Sequence, residues 1–151
     1  MRKQIDIVRK IRTSLLEGVK DLDTDQLNKI PDGFGNNIIW NLAHLVAAQQ
    51  SICYKRAGLE APLGDDFINT YKPGTKPEKF VDAAGIADIK QLLFSTLDQL
   101  DVDYNNNIFI GYTPVTTRYG VELNNIDDGI SFLPFHEGYH MGAVMGLKKL
   151  V

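Results

Sequence analysis

The sequence predicts an all-α fold, a four-helix bundle with two long connections, and three observations carry that expectation. Apolar residues recur at steps of three and four in four separate stretches. Two long segments punctuated by Pro, Gly and Asn divide those stretches. The length of 151 residues suits one domain spanning 1–151, able to bury roughly 68–70% of the surface its unfolded chain exposes.

The first helix is expected from Ile5 to Leu22, where Ile5, Val8, Ile11, Leu15, Val19 and Leu22 form one stripe. Asp23-Thr24-Asp25 reads as a stop and cap, with a short turn through Leu27. Pro31-Asp32-Gly33-Phe34-Gly35 has strong turn chemistry. Asn36 or Asn37 then caps a second helix that runs to about Ala57, with Gly58 as its stop. That helix is apolar nearly all round, so burial on more than one side is expected. The face of His44 carries Trp40, Ala47, Ala48 and Ser51, and small residues beside a histidine leave room for a ligand or for close packing. The short link favours the first two helices as antiparallel neighbours.

From Gly58 to about Phe80 the chain reads as a long connection broken by Pro62, Gly64, Pro73, Gly74 and Pro77. A third helix is expected from Ile86 to Asp101 on a stripe of Ile89, Leu92, Leu93, Thr96, Leu97 and Leu100. Asp103 to Asn125 forms the second long connection, in which Thr113 to Val121 suits a short extended turn. The last helix starts either near Ile126, capped by Asn125 and kinked at Pro134, or near Leu133 with Pro134 in its first turn.

Composition limits the partners. Net charge is −3 with no Lys or Arg run longer than two, which argues against nucleic acid or an anionic membrane surface. No apolar run approaches the ~18–20 residues of a bilayer span. The lone Cys53 forms no internal disulfide, and the N-terminus lacks a signal-peptide core, so a cytoplasmic location is expected.

The chemistry concentrates in the three histidines, His44, His136 and His140. Positions i and i+4 stand about 40° apart on a helix, so His136 and His140 reach one point beside it. Both lie on the core-facing stripe of the last helix, and His44 lies on a buried one. An unpaired buried polar group costs ~1–3 kcal/mol, so three converging imidazoles call for a shared ligand. Three neutral nitrogen donors with an open position suit a catalytic ion such as Zn, Ni, Fe or Cu. The alternative is three core histidines, each bonded to a carbonyl.

His136-Glu137-x-x-His140 also has H-E-x-x-H spacing, which makes Glu137 a candidate general base of a metallohydrolase. Against that, the third histidine lies upstream, and no sheet edge is expected to hold a peptide. Glu137 as a solvated residue, or one that orients an imidazole, is the competing reading. Arg118, Tyr112, Tyr119 and Tyr139 are candidates to contact a substrate carboxylate or leaving group, or are ordinary surface and packing residues. Trp40 reads as a core anchor. Cys53 lies nine positions after His44, two and a half turns away, and reads as a buried hydrophobe.

Asp25-Gln26-Leu27-Asn28 with Pro31, followed by Asn37-Ile38-Ile39-Trp40-Asn41-Leu42-Ala43-His44-Leu45, resembles the second-helix signature of the DinB-like bundle proteins. Phe135-His136-Glu137-Gly138-Tyr139-His140-Met141-Gly142 is similar to that family's closing motif. By length and helix spacing the resemblance covers the whole chain. It implies a four-helix bundle, often a homodimer, with His44, His136 and His140 as ligands of a divalent metal ion, Zn or Ni foremost. Members of known activity include metal-dependent thiol transferases and thiol-dependent isomerases, which implies a small-molecule thiol as substrate. A non-catalytic metal- or ligand-binding bundle is the alternative. The "damage-inducible" family name does not imply DNA binding.

Overall fold

The computed structural model describes residues 1–151. Helix α1 spans Arg2–Gly18, shorter than the apolar stripe suggested, because the chain turns at Val19 and Leu22 packs from the link that follows. Helix α2, Thr24–Asn28, is one short turn closed by a capping box in which Asp23 accepts from the Gln26 amide and the Gln26 side chain accepts from the Asp23 amide. Helix α3, Ile38–Gln50, starts at Asn37, whose side chain accepts from the Trp40 amide. It passes without a break into a π-helical turn over Ser51–Lys55 and stops at Gly58, which has φ 74°.

The segment expected to be a structureless connection contains a helix. Helix α4, Gly64–Tyr71, lies between Pro62 and Pro73, with Asp65 and Asp66 in its first turn and Ile68 buried against the bundle. Its eight residues are bracketed by Pro and Gly, which is why the segment reads as a connection along the chain. Helix α5, Ala83–Asn105, starts at Asp82 and is longer than expected at both ends. Strands β1, Val115–Thr116, and β2, Glu122–Leu123, pair antiparallel as a small hairpin. Helix α6, Ile126–Lys148, begins at the Asn125 cap and runs through Pro134, the first of the two expected alternatives.

The four long helices α1, α3, α5 and α6 form the bundle. Helix α1 packs against α5 and α6, and α3 packs against the same two. Helices α1 and α3 were expected to be neighbours and instead sit across the diagonal. The link from Val19 to Asn37, with α2 inside it, is long enough to cross the bundle end.

Two apolar clusters fill the interior. Leu15, Leu42, Leu93 and Val144 belong to one, and Val8, Cys53, Leu97 and Leu133 to the other. On each helix a buried polar residue falls between the two: Arg12, Gln49, Thr96 and Glu137. Arg12 is fully buried, and all five of its N–H donors have acceptors. They reach Glu137 Oε1 twice, Gln49 Oε1, and the carbonyls of Leu45 and Leu93. One guanidinium therefore touches all four long helices.

Candidate metal centre

His44 comes from the middle of α3, and His136 and His140 come from successive turns of α6. All three are buried, and their ring centroids form a triangle with sides of 5.2, 4.6 and 4.7 Å. One ligand nitrogen from each lies within 4.8 Å of the others. The Nε2 atoms of His44 and His136 are 3.3 Å apart. Two nitrogens bound tetrahedrally at about 2.0–2.1 Å from Zn are separated by about 3.3–3.4 Å, so this pair already has the spacing an ion needs.

For His44 and His140 the outer nitrogens fix which inner atom is a lone pair. Tyr71, the last residue of α4, presents its carbonyl 2.6 Å from His44 Nδ1. A carbonyl only accepts, so Nδ1 carries the proton and Nε2 is left as a lone pair. His140 Nδ1 lies 2.8 Å from Asn41 Oδ1. The Asn41 amide nitrogen donates to the Asn37 carbonyl at 2.7 Å, which turns Oδ1 toward the histidine and makes His140 Nδ1 the donor. His140 Nε2 is thus a second inward lone pair, buried and without a partner. Such an orphaned acceptor beside two other imidazoles is the environment that a divalent cation would satisfy.

Burial pushes the pKa of His136 and His140 down to about 3 and also lowers that of His44, with the neighbouring imidazoles adding to the first two and Arg118 to all three. All three rings are uncharged at neutral pH, the state a metal ligand requires. They open onto a cavity of about 430 Å³. Trp40 forms one wall, stacked on His44 at 4.9 Å and 7°, with its indole N–H donating to Thr75 Oγ1. Trp40 is the expected core anchor, only 5% exposed, and also a cavity wall. Ala48 and Ser51 line the space beside His44, whereas Ala47 is turned into the bundle.

The family model of the DinB superfamily matches residues 7–144. The chain belongs to the DinB superfamily. Comparison with curated proteins and with solved structures gave no match. In this DinB-superfamily chain the matched span includes both helices that meet at the histidines, α3 in full and α6 up to residue 144.

The remaining expected residues divide. Arg118, Tyr119 and Tyr139 line the cavity. Tyr112 does not: its hydroxyl is buried without a partner, close to Gly129 on α6, and burial pushes its pKa up to about 12. Cys53 is fully buried in the second apolar cluster, its thiol pushed up to about 12 by that burial. Glu137 is not brought to the histidines. It is 0% exposed, lies outside the cavity lining, and is paired with Arg12 at 2.6 Å. Burial raises its pKa while the guanidinium pulls the other way. The H-E-x-x-H spacing therefore turns the Glu toward the polar layer, and neither the solvated nor the imidazole-orienting position expected of it is found. Arg12 was missed. Its signal was present, since it falls four positions after Val8 and three before Leu15, on the inner stripe of α1.

Proposed function

We propose that this protein is a metal-dependent enzyme whose divalent ion, Zn or Ni, is held by the Nε2 atoms of His44, His136 and His140, and which acts on a low-molecular-weight thiol, as a transferase. The partnerless, buried Nε2 of His140, between two further imidazoles, carries the metal part of this reading. When bound, a divalent cation supplies the positive charge that lowers the pKa of a thiol beside it.

The chain's own residues supply the rest. Tyr71 and Asn41 fix the tautomers of His44 and His140 and keep both lone pairs aimed inward. Trp40 and Phe132 form apolar walls that limit water around a nucleophile. Cys53 takes no part, because its buried thiol faces the core rather than the cavity. Glu137 serves as the partner of Arg12, which weighs against a hydrolase that needs it as base. A cytoplasmic homodimer belongs to the same reading, on the family resemblance and the composition.

Elemental analysis of purified protein tests the metal centre. We expect close to one equivalent of divalent metal in wild type and its loss in His44→Ala; equal, negligible contents in both would refute the site. Metal-loaded protein assayed with a panel of thiols and electrophilic acceptors tests the reaction. Turnover that requires both metal and thiol supports it, and metal-bound protein inert toward every pair favours the non-catalytic alternative. Light scattering on eluted fractions tests the dimer.

A further inference from the structure

The cavity that the histidines open onto has no acidic residue in its lining and one permanent cation, Arg118. Arg118 and Tyr119 sit at the tip of the β1–β2 hairpin. The Gly120 amide donates to the Thr117 carbonyl at 2.9 Å, and the Thr117 amide donates to the Val121 carbonyl at 2.8 Å. Gly120 takes the left-handed conformation, φ 77°, that closes a three-residue hairpin loop. The Thr117 hydroxyl accepts from the Val121 amide and braces the same turn. This tip is built to a fixed shape, and it points a guanidinium at the cavity.

Nothing of opposite charge holds that guanidinium. None of the four ion pairs involves Arg118. It donates to the Tyr119 hydroxyl at 2.6 Å and lies over two aromatic faces, 4.8 Å from the Tyr119 ring and 5.5 Å from that of Tyr139. Stacking of this kind orients a guanidinium and leaves most of its five donors free for a planar anion. The contrast with Arg12 is direct: there every donor is used, and a carboxylate is supplied by the fold. With a divalent ion on three uncharged imidazoles, the lining carries three positive charges and no negative one. An uncharged or cationic ligand would leave that charge uncompensated in a partly enclosed space.

We propose that Arg118 is the anion-recognition residue of this cavity, taking the carboxylate of a small acidic ligand whose other end reaches the three histidines. The identity of that other end as a thiol rests on the function proposed above; the role of Arg118 does not. Tyr119 and Tyr139 are positioning residues that hold the guanidinium plane.

Zinc-loaded protein titrated calorimetrically with 3-mercaptopropionate and with its uncharged analogue 3-mercaptopropionamide tests this. We expect wild type to bind the acid about tenfold more tightly than the amide, as a charge-assisted bidentate contact would give. Arg118→Gln should bring the two within about twofold, and Arg118→Lys, which keeps the charge and loses the fork, should fall between. Equal binding of acid and amide by wild type overturns the proposal. So does no measurable binding of the acid, or a preference undiminished in Arg118→Gln, which would place the carboxylate on the metal instead. Arg118 is exposed at a turn, so its replacement leaves the bundle intact, which circular dichroism checks. Cobalt-loaded protein separates this idea from the thiol reading. If 3-mercaptopropionate produces no sulfur-to-cobalt absorption while propionate still beats propionamide in an Arg118-dependent way, the thiol fails and the anion site stands.

Discussion

Arg12 Nη2 lies 2.6 Å from Glu137 Oε1, in a pair closed to solvent on both sides. The pair joins the first and last helices at the centre of the bundle, between the two apolar clusters. Removing one partner of a buried ion pair strands the other charge, which costs about 3–5 kcal/mol. We expect Glu137→Gln to lower the unfolding free energy read from urea denaturation by that order while the metal content of the folded fraction stays unchanged. Replacing both partners with apolar residues, Arg12→Met with Glu137→Leu, should recover most of the loss. A Glu137→Gln protein as stable as wild type, or one stable but metal-free, contradicts the structural role.

Asn41 touches no ion itself, yet its Oδ1 sets the proton on His140. Loss of such a partner typically weakens metal affinity by about 10–100-fold. Competition with a chromophoric chelator should show Asn41→Ala in that range and Asn41→Asp close to wild type or tighter. Unchanged zinc affinity in Asn41→Ala would mean that the His140 tautomer is set by something else.

Trp40 is the only tryptophan and stacks on His44. Addition of Ni²⁺ or Cu²⁺ to metal-free protein should quench its fluorescence with a stoichiometric endpoint. The same titration of His44→Ala should show no such endpoint. Unquenched emission from folded wild type would remove His44 as a ligand.

Acid should loosen the metal-free protein through the same rings. The folded pKa of His136 and of His140 is depressed to about 3, and that of His44 is lowered. In the unfolded chain each titrates near 6.5. Below about pH 6.5 the unfolded form therefore takes up protons that the folded form refuses. The stability contributed by these rings is complete above that pH and is lost progressively as pH falls toward about 3. Denaturation midpoints measured from pH 7 to 4 should fall more steeply for wild type than for a protein carrying His136→Gln and His140→Gln. Identical slopes would contradict the assignment.

Much of this could be read along the chain, and the failures have physical causes. The caps at Asn37 and Asn125 and the stop at Gly58 follow from local chemistry, and the long-range meeting of His44 with His136 and His140 follows from the cost of leaving three buried imidazoles unpaired. Helix α4 was hidden because its two turns lie between Pro62 and Pro73, with Gly64 and Gly74 beside them, a punctuation that reads as a connection. The diagonal placement of α1 and α3 depends on how a long link crosses the bundle end, which no stripe encodes. Glu137 misled because H-E-x-x-H spacing specifies one face for the histidines and leaves the direction of the Glu to whatever packs there. What packs there is Arg12, a charged residue on an apolar stripe.

The Tyr71 carbonyl that holds His44 belongs to the C-terminal end of α4, where the helix offers it no amide of its own. Four residues later Thr75 accepts from the Trp40 indole. Docking of the segment between the Pro-rich turns and occupancy of His44 Nε2 are thereby two sides of one equilibrium. Whatever binds that nitrogen must tighten α4 onto the bundle by the same free energy with which docked α4 favours binding. Amide hydrogen exchange in α4, which supplies none of the three histidines, then becomes a gauge of how full the site is.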